Sequence, residues 1–411
     1  MLLGSIALLG VIVSACSQGE RTVVDVSIPP PLSTTTTTTI PETTTTTIAP
    51  TTTFEPTTTF APTTTIEQPD TGPPASIDTE YTPGSGSKRR RTPCTPGPDL
   101  GRLVQGANCR YVAIDGMARE YVVYVPVGVQ RETPAPLVVY LHGDGLNGDR
   151  ALVDTGWKKR ADSENIVVAF PTSLAYNMGT EEKPDWTSEW NGLELAGKAV
   201  LDQRPDQYPD SAPMPANDEG FVRAMVADIE YQWPIDTTKV YAVGSQSGAD
   251  LTMRLALDMP DVFAAVGMIG GGPGSPALQL PVPARSVPMM LIVGTNDTNL
   301  ATTSLGGTAG GEIPVGVDAF AASPVGSYLL SKLGPVTGTD PTKPSTDSST
   351  DPQHLTSFEI GGFGLGGGKG VVKFRIVQGM DATFPVGDNP AKFVGTLELW
   401  TFFKDQTLPA P

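Results

Sequence analysis

Thr238 to Ala256, TKVYAVGSQSGADLTMRLA, has the form of a strand, a glycine-bracketed turn and a helix. Val240, Tyr241, Ala242 and Val243 make a short apolar run that favours a strand, and after Gly248 the residues Leu251, Leu255 and Ala256 recur at helical spacing. A turn of this form carries a nucleophile in the pattern G-x-S-x-G. Glycines two residues before and after the serine let strand and helix pack closely while the hydroxyl projects above the sheet. Here Gly244 and Gly248 bracket Gln246. A primary amide offers no group that a neighbouring base can turn into a nucleophile, so the pattern predicts a turn kept without its chemistry.

Working outward from the turn, the preceding chain alternates between strand and helix patterns. Arg119 to Val127, REYVVYVPV, and Leu137 to Leu141, LVVYL, read as adjacent strands, the second apolar enough to be buried on both faces. That strand runs into His142-Gly143-Asp144-Gly145, a glycine-rich turn at the carboxyl end of a central strand, where α/β sheets place ligand groups. A helix is expected around Asp154 to Ser163, a strand at Ile166 to Phe170, and an amphipathic helix at Phe221 to Gln232. The order predicts a mostly parallel sheet with right-handed crossovers and helices on both faces. From Pro171 to Asn217 regularity fails, and Trp186 and Trp190 mark a lid or binding wall over the sheet's carboxyl edge, or else a surface loop.

YVVYVP, PLVVYLHGDG, FVRAMVADIEYQWPIDTTKVYAVGSQSG and RLALDMPDVFAAVGMIGG, in this order and spacing, resemble the secreted α/β-hydrolases of the polyhydroxybutyrate depolymerase-like and feruloyl-esterase-like type. The likeness covers most of Tyr111 to Asp405 and implies an α/β-hydrolase fold. It implies that His142 and Gly143 belong to the oxyanion-side loop, with backbone N–H groups near Asp144 and of Ser247 forming the hole, and it gives His142 a structural part. The family's acid follows the strand after the elbow helix in a G-T-x-D context, here Met289 to Asp297, MMLIVGTND, which assigns Asp297. The family's histidine lies in a G-H-x-W-P-like segment. Asp381-Ala382-Thr383-Phe384-Pro385 matches it with Ala382 in the base's place. A closing helix is expected at Leu397 to Phe403.

The first quarter of the 411-residue chain has a different composition. Met1 to Ala15 is an apolar run of signal-peptide length, and Val13-Ser14-Ala15-Cys16 resembles the bacterial lipobox, which implies lipid on Cys16 and attachment to a membrane; an ordinary cleaved signal stays open. Residues 17–91, with threonine tracts and prolines, read as a disordered, O-glycosylated type of linker, and residues 92–408 as the hydrolase-like domain. The expected location is therefore exported: a cell-surface or periplasm-facing lipoprotein, or a secreted protein. With three cysteines in the chain, Cys94 and Cys109 remain as a pair in an exported protein, and a disulfide there would be worth about 3 kcal/mol in the chain-entropy model; two free thiols are the alternative.

A net charge of −17 argues against nucleic acid as a partner, Lys88 to Arg91 being a solvated cluster. No clustered ligand spacing points to a metal, and GGFGLGGGKG at Gly361 to Gly370 precedes a strand instead of following one, so no nucleotide cofactor is expected.

The loss of serine at 246 and of histidine at 382 predicts a non-catalytic protein that holds a polyester, an acylated glycan or a cell-envelope component. Two other readings stay open. One is an active ester hydrolase with Ser247 or Ser245 as nucleophile and His354, the second of two histidines, as base. The other is a structural surface or adhesion module.

Overall fold

The computed structural model describes residues 102–409 apart from 116, 181, 184, 193–199, 202–215, 273–281, 298–321, 334–345, 352–354, 364–369 and 391. The signal, Cys16, the Thr/Pro stalk, Cys94 and His354 lie outside the described residues.

Ten described strands form one sheet. In chain order they are β1 (Gly106–Ile114), β2 (Met117–Val125), β3 (Ala135–Leu141), β4 (Val167–Pro171), β8 (Ile235–Ser245), β9 (Ala265–Ile269), β10 (Met289–Gly294), β11 (Thr346–Asp351), β12 (Leu355–Phe363) and β13 (Gly370–Val377). Across the sheet the order is β1-β2-β4-β3-β8-β9-β10-β13-β12-β11. The run from β4 to β13 is parallel and the flanking pairs are antiparallel. Sequence and register agree here: β3, β4, β9 and β10 are buried on nearly every residue because helices cover both faces.

The two faces bury different residues of the same strands. Val139, Leu141 and Ala242 pack with Phe221, Leu251 and Leu329 of α3 (Asp218–Gln232), α4 (Ser247–Asp258) and α5 (Pro324–Leu333). Val138, Tyr140 and Val243 pack with Ala151, Trp157 and Leu399 of α1 (Gly148–Asp154), α2 (Trp157–Glu164) and α6 (Gly395–Phe403). The chain thus has the mostly parallel α/β-hydrolase architecture expected.

Two local readings differ. Instead of one helix around Asp154 to Ser163 there are two. The first is capped by Asn147, whose side chain accepts from the Arg150 N–H at 3.0 Å, and it ends before Gly156, which takes φ 75° and opens the second. Between Pro171 and Asn217 the chain is not irregular throughout: β5 (Leu174–Asn177), β6 (Trp186–Glu189) and β7 (Val200–Leu201) make a small antiparallel sheet in the order β6-β5-β7. Asn177 organises its hairpin by accepting the N–H groups of Gly179 and Asp185, each at 3.0 Å. The insert after Ala301 contains α5, which buries Tyr328, Leu329 and Leu333. Cys109 is buried on β1 and disulfide-bonded.

Candidate functional site

At the carboxyl edge of the sheet, β8 passes into α4 through Gln246 alone. Gln246 takes φ 50° and ψ −123°, a region that costs a non-glycine residue about 1–3 kcal/mol. The strain is held by close packing. A Cβ on Gly244 would stand 1.9 Å from the Gly248 carbonyl oxygen, and one on Gly248 would stand 2.4 Å from that of Leu141. The Gln246 N–H donates to the Ile269 carbonyl at 3.0 Å, tying the turn to the end of β9. The elbow is therefore built, with an amide at its apex.

The loop after β3 lies against this apex. His142 is fully buried. Its Nε2 accepts the Ser173 N–H at 3.1 Å, which leaves the proton on Nδ1 to donate to the Gly143 carbonyl at 2.8 Å. With both nitrogens engaged, the ring ties the loop after β3 to the end of β4. The N–H of Asp144 points at the elbow and donates to Gln246 Oε1 at 3.0 Å, while the N–H of Ser247 donates to Asp144 Oδ1 at 3.0 Å. The residues expected around an oxyanion hole are thus brought together.

Both neighbouring serine hydroxyls have hydrogen-bond partners. Ser245 Oγ is buried under the turn, 2.8 Å from the Tyr140 hydroxyl, whose own ionisation burial pushes far up. Ser247 Oγ accepts the Trp190 N–H at 3.4 Å. The base suggested for them, His354, lies outside the described residues.

The acid and base positions meet through backbone. Asp297 is buried just after β10, its N–H on the Gly294 carbonyl at 3.0 Å. The adjacent Thr295 and Asn296 N–H groups donate to Val377 at 3.1 Å and Met380 at 2.9 Å, and the Gly379 N–H returns to Thr295 Oγ1 at 2.9 Å. Two residues beyond Met380 comes Ala382, placed so that a Cβ on Gly270, just past β9, would lie 3.1 Å from the Ala382 Cβ. Since Ile269 also receives the Gln246 N–H, Ala382 lies beside the elbow. Asp297, Ala382 and Gln246, expected from the sequence at the acid, base and nucleophile positions, thus lie along one edge of the sheet.

The lid strand closes on the oxyanion loop. Gly145 donates its N–H to the Ser188 carbonyl at 3.0 Å, Ser188 Oγ donates to the Leu146 carbonyl at 2.6 Å, and Trp190 Nε1 donates to the His142 carbonyl at 2.9 Å. Trp190 stacks on Phe221 with ring centroids 6.4 Å apart. Trp190 thus forms an inner wall beneath the lid, with none of its ring offered to solvent.

Behind it, Asn191 is gripped by charged groups. Its N–H donates to Asp218 Oδ2 at 2.8 Å, and its carbonyl accepts from Arg254 Nη1 at 3.1 Å. Arg254 also pairs with Glu219 and with Asp258 at 3.4 Å. Burial, reinforced by Asp258 and opposed by Arg254, pushes the Glu219 carboxyl up to about 7. A carboxyl raised on folding favours the fold below its unfolded value near 4.5 and loses that contribution as pH rises toward 7. Stability in urea is accordingly expected to fall across this window, and Glu219→Gln to flatten the fall; an unchanged slope in the variant refutes the assignment. Neither this cluster nor the Asp144–Gln246 pairing had a signal in the sequence.

No family model matches the sequence. NocK of Nocardia uniformis subsp. tsuyamanensis, described as an esterase, is 26% identical over 231 residues, 56% of this chain and 58% of that protein. Poly(3-hydroxyalkanoate) depolymerase C of Paucimonas lemoignei is 27% identical over 150 residues, 36% of this chain and 30% of that one. The chain therefore spans about half or less of these curated relatives' lengths. Among solved structures, an acetyl xylan esterase from Aspergillus awamori has a TM-score of 0.46 at 14% identity, covering 72% of this chain and 99% of that one. An S-formylglutathione hydrolase from Agrobacterium tumefaciens has a TM-score of 0.44 at 13% identity, covering 73% and 96%.

Proposed function

Taking as premise an α/β-hydrolase-fold chain homologous to an esterase and a polyhydroxyalkanoate depolymerase, we propose that this protein is a disarmed esterase that holds a ligand without cleaving it. The observation that carries the reading is Gln246 itself, standing at the strained apex with the backbone of a nucleophile and no nucleophilic atom. Ala382 supports it independently, since the loop that would carry a general base ends there in a methyl group beside the elbow. Acyl transfer needs an attacking oxygen and a base to take its proton. Loss of triad members leaves about 10³–10⁴-fold over water from hole and binding alone.

The ligand in this reading is a polyester, an acylated glycan or a related cell-envelope component, held at the edge under the lid strand; the depolymerase relative supports the polyester. Export and membrane attachment through Cys16, with the Thr/Pro segment as a tether, complete the proposal. The purified full-length chain is expected to be inert toward p-nitrophenyl butyrate and to remain unlabelled by a fluorophosphonate probe. Labelling that disappears on Ser247→Ala or Ser245→Ala would overturn the reading.

A further inference from the structure

The elbow and the oxyanion loop satisfy each other's polar groups reciprocally. An oxyanion hole works because two backbone N–H groups stand open toward the place where negative charge develops. Here those two groups, of Asp144 and Ser247, both have acceptors supplied by the chain: Gln246 Oε1 for the first and Asp144 Oδ1 for the second, each at 3.0 Å. We propose that the hole is ligated from within, Gln246 acting as a resident carbonyl and Asp144 as a resident anion, which makes Asp144 a third disabling position beside Gln246 and Ala382. The inference rests on the non-catalytic reading above.

Three observations carry it. The orientation of the Gln246 amide is fixed by chemistry, because only its oxygen can accept from the Asp144 N–H. Room for this plug comes from Gly143, where a Cβ would stand 2.3 Å from Gln246 Oε1. Lastly, the Asp144 carboxylate sits at the first N–H of α4, a twelve-residue helix whose N-terminus attracts negative charge. An oxyanion forming in the hole would meet an existing carboxylate instead of an open donor.

Swapping nucleophile and base alone therefore leaves one donor occupied and a negative charge beside the reacting carbonyl. In the full-length chain, Gln246→Ser with Ala382→His is expected to hydrolyse p-nitrophenyl butyrate weakly. Adding Asp144→Ala should raise kcat/KM about 10²–10³-fold, the value of one oxyanion donor, mainly in kcat. Asp144→Asn, which keeps an acceptor for the helix and removes the charge, should recover part of this and guards against a merely unfolded variant. Should the double variant already be efficient, with Asp144→Ala changing kcat/KM less than about threefold, Asp144 is no plug, while the disarmed-triad reading stands. Activity of the parent chain would instead remove the premise.

A second measurement needs no catalysis. Gln246→Ala with Asp144→Ala opens both donors, and NMR titration with butyrate should show binding at least tenfold tighter than to the parent. Equal binding by a folded variant would overturn the proposal.

Discussion

Replacing Arg119 by alanine is expected to cost about 3–5 kcal/mol of folding free energy, read as a lower urea midpoint. Arg119 and Asp218 both have fully buried side chains, and they pair at 2.6 Å. The carboxylate's other oxygen holds the Asn191 N–H, and the guanidinium carbon lies 4.3 Å from the Phe221 ring centroid. Truncating the arginine strands a carboxylate where water does not reach and loosens the end of the lid in the same stroke. Two Arg119 nitrogens, Nε and Nη1, are buried without a hydrogen bond, so the pair is not a fully satisfied network. The double change Arg119→Met, Asp218→Asn is therefore expected to cost clearly less than the two single changes added together, because most of the single penalty belongs to the uncompensated charge. A loss under about 1 kcal/mol in Arg119→Ala would mean that the site is wet.

Gly244→Ala is expected to destabilise by about 3 kcal/mol, at the upper end for overpacking a well-filled interior. The added methyl would stand 1.9 Å from the Gly248 carbonyl oxygen and 2.5 Å from the Ala249 nitrogen, both backbone atoms that no rotamer change can move aside. Strand β8 and helix α4 would have to part, carrying Gln246 and the Ser247 N–H with them. Urea unfolding measures the loss, and the amide resonances of Asp144 and Ser247 should shift together. A variant as stable as the parent would show the elbow to be loosely packed.

The elbow was legible because its packing admits few residues: Gly244 and Gly248 are demanded by backbone contacts under 2.5 Å and are visible as letters. Strands buried on both faces, such as β3 and β4, were legible for the same kind of reason, as unbroken apolar runs. What stayed hidden depends on partners distant in the chain. Arg119 precedes YVVYV and looks like a surface residue until Asp218, ninety-nine positions on, is folded against it. Asp144 looks like a turn aspartate until α4 brings the Ser247 N–H to it from 103 positions away. The small lid sheet was missed because its strands are only two to four residues long and one is ordered by the side chain of Asn177, which leaves little periodicity to detect.

The lengths of chain between paired strands bear on when the turn carrying Ala382 is set. β3 with β4, β8 with β9 and β9 with β10 become neighbours through short crossovers, whereas β3 pairs Leu137 with Val240 across the lid segment and β10 pairs Met289 with Val372 across the insert. Closing loops of that length delays both contacts, so the elbow after β8 and the turn beyond β13, with Ala382, are each set against partners distant in the chain. Residues that dock late leave the folding rate nearly untouched and act on unfolding alone. Substitutions at Ala382 are thus expected to act mainly on the unfolding rate, while the backbone bonds from Thr295 and Asn296 hold the turn in shape.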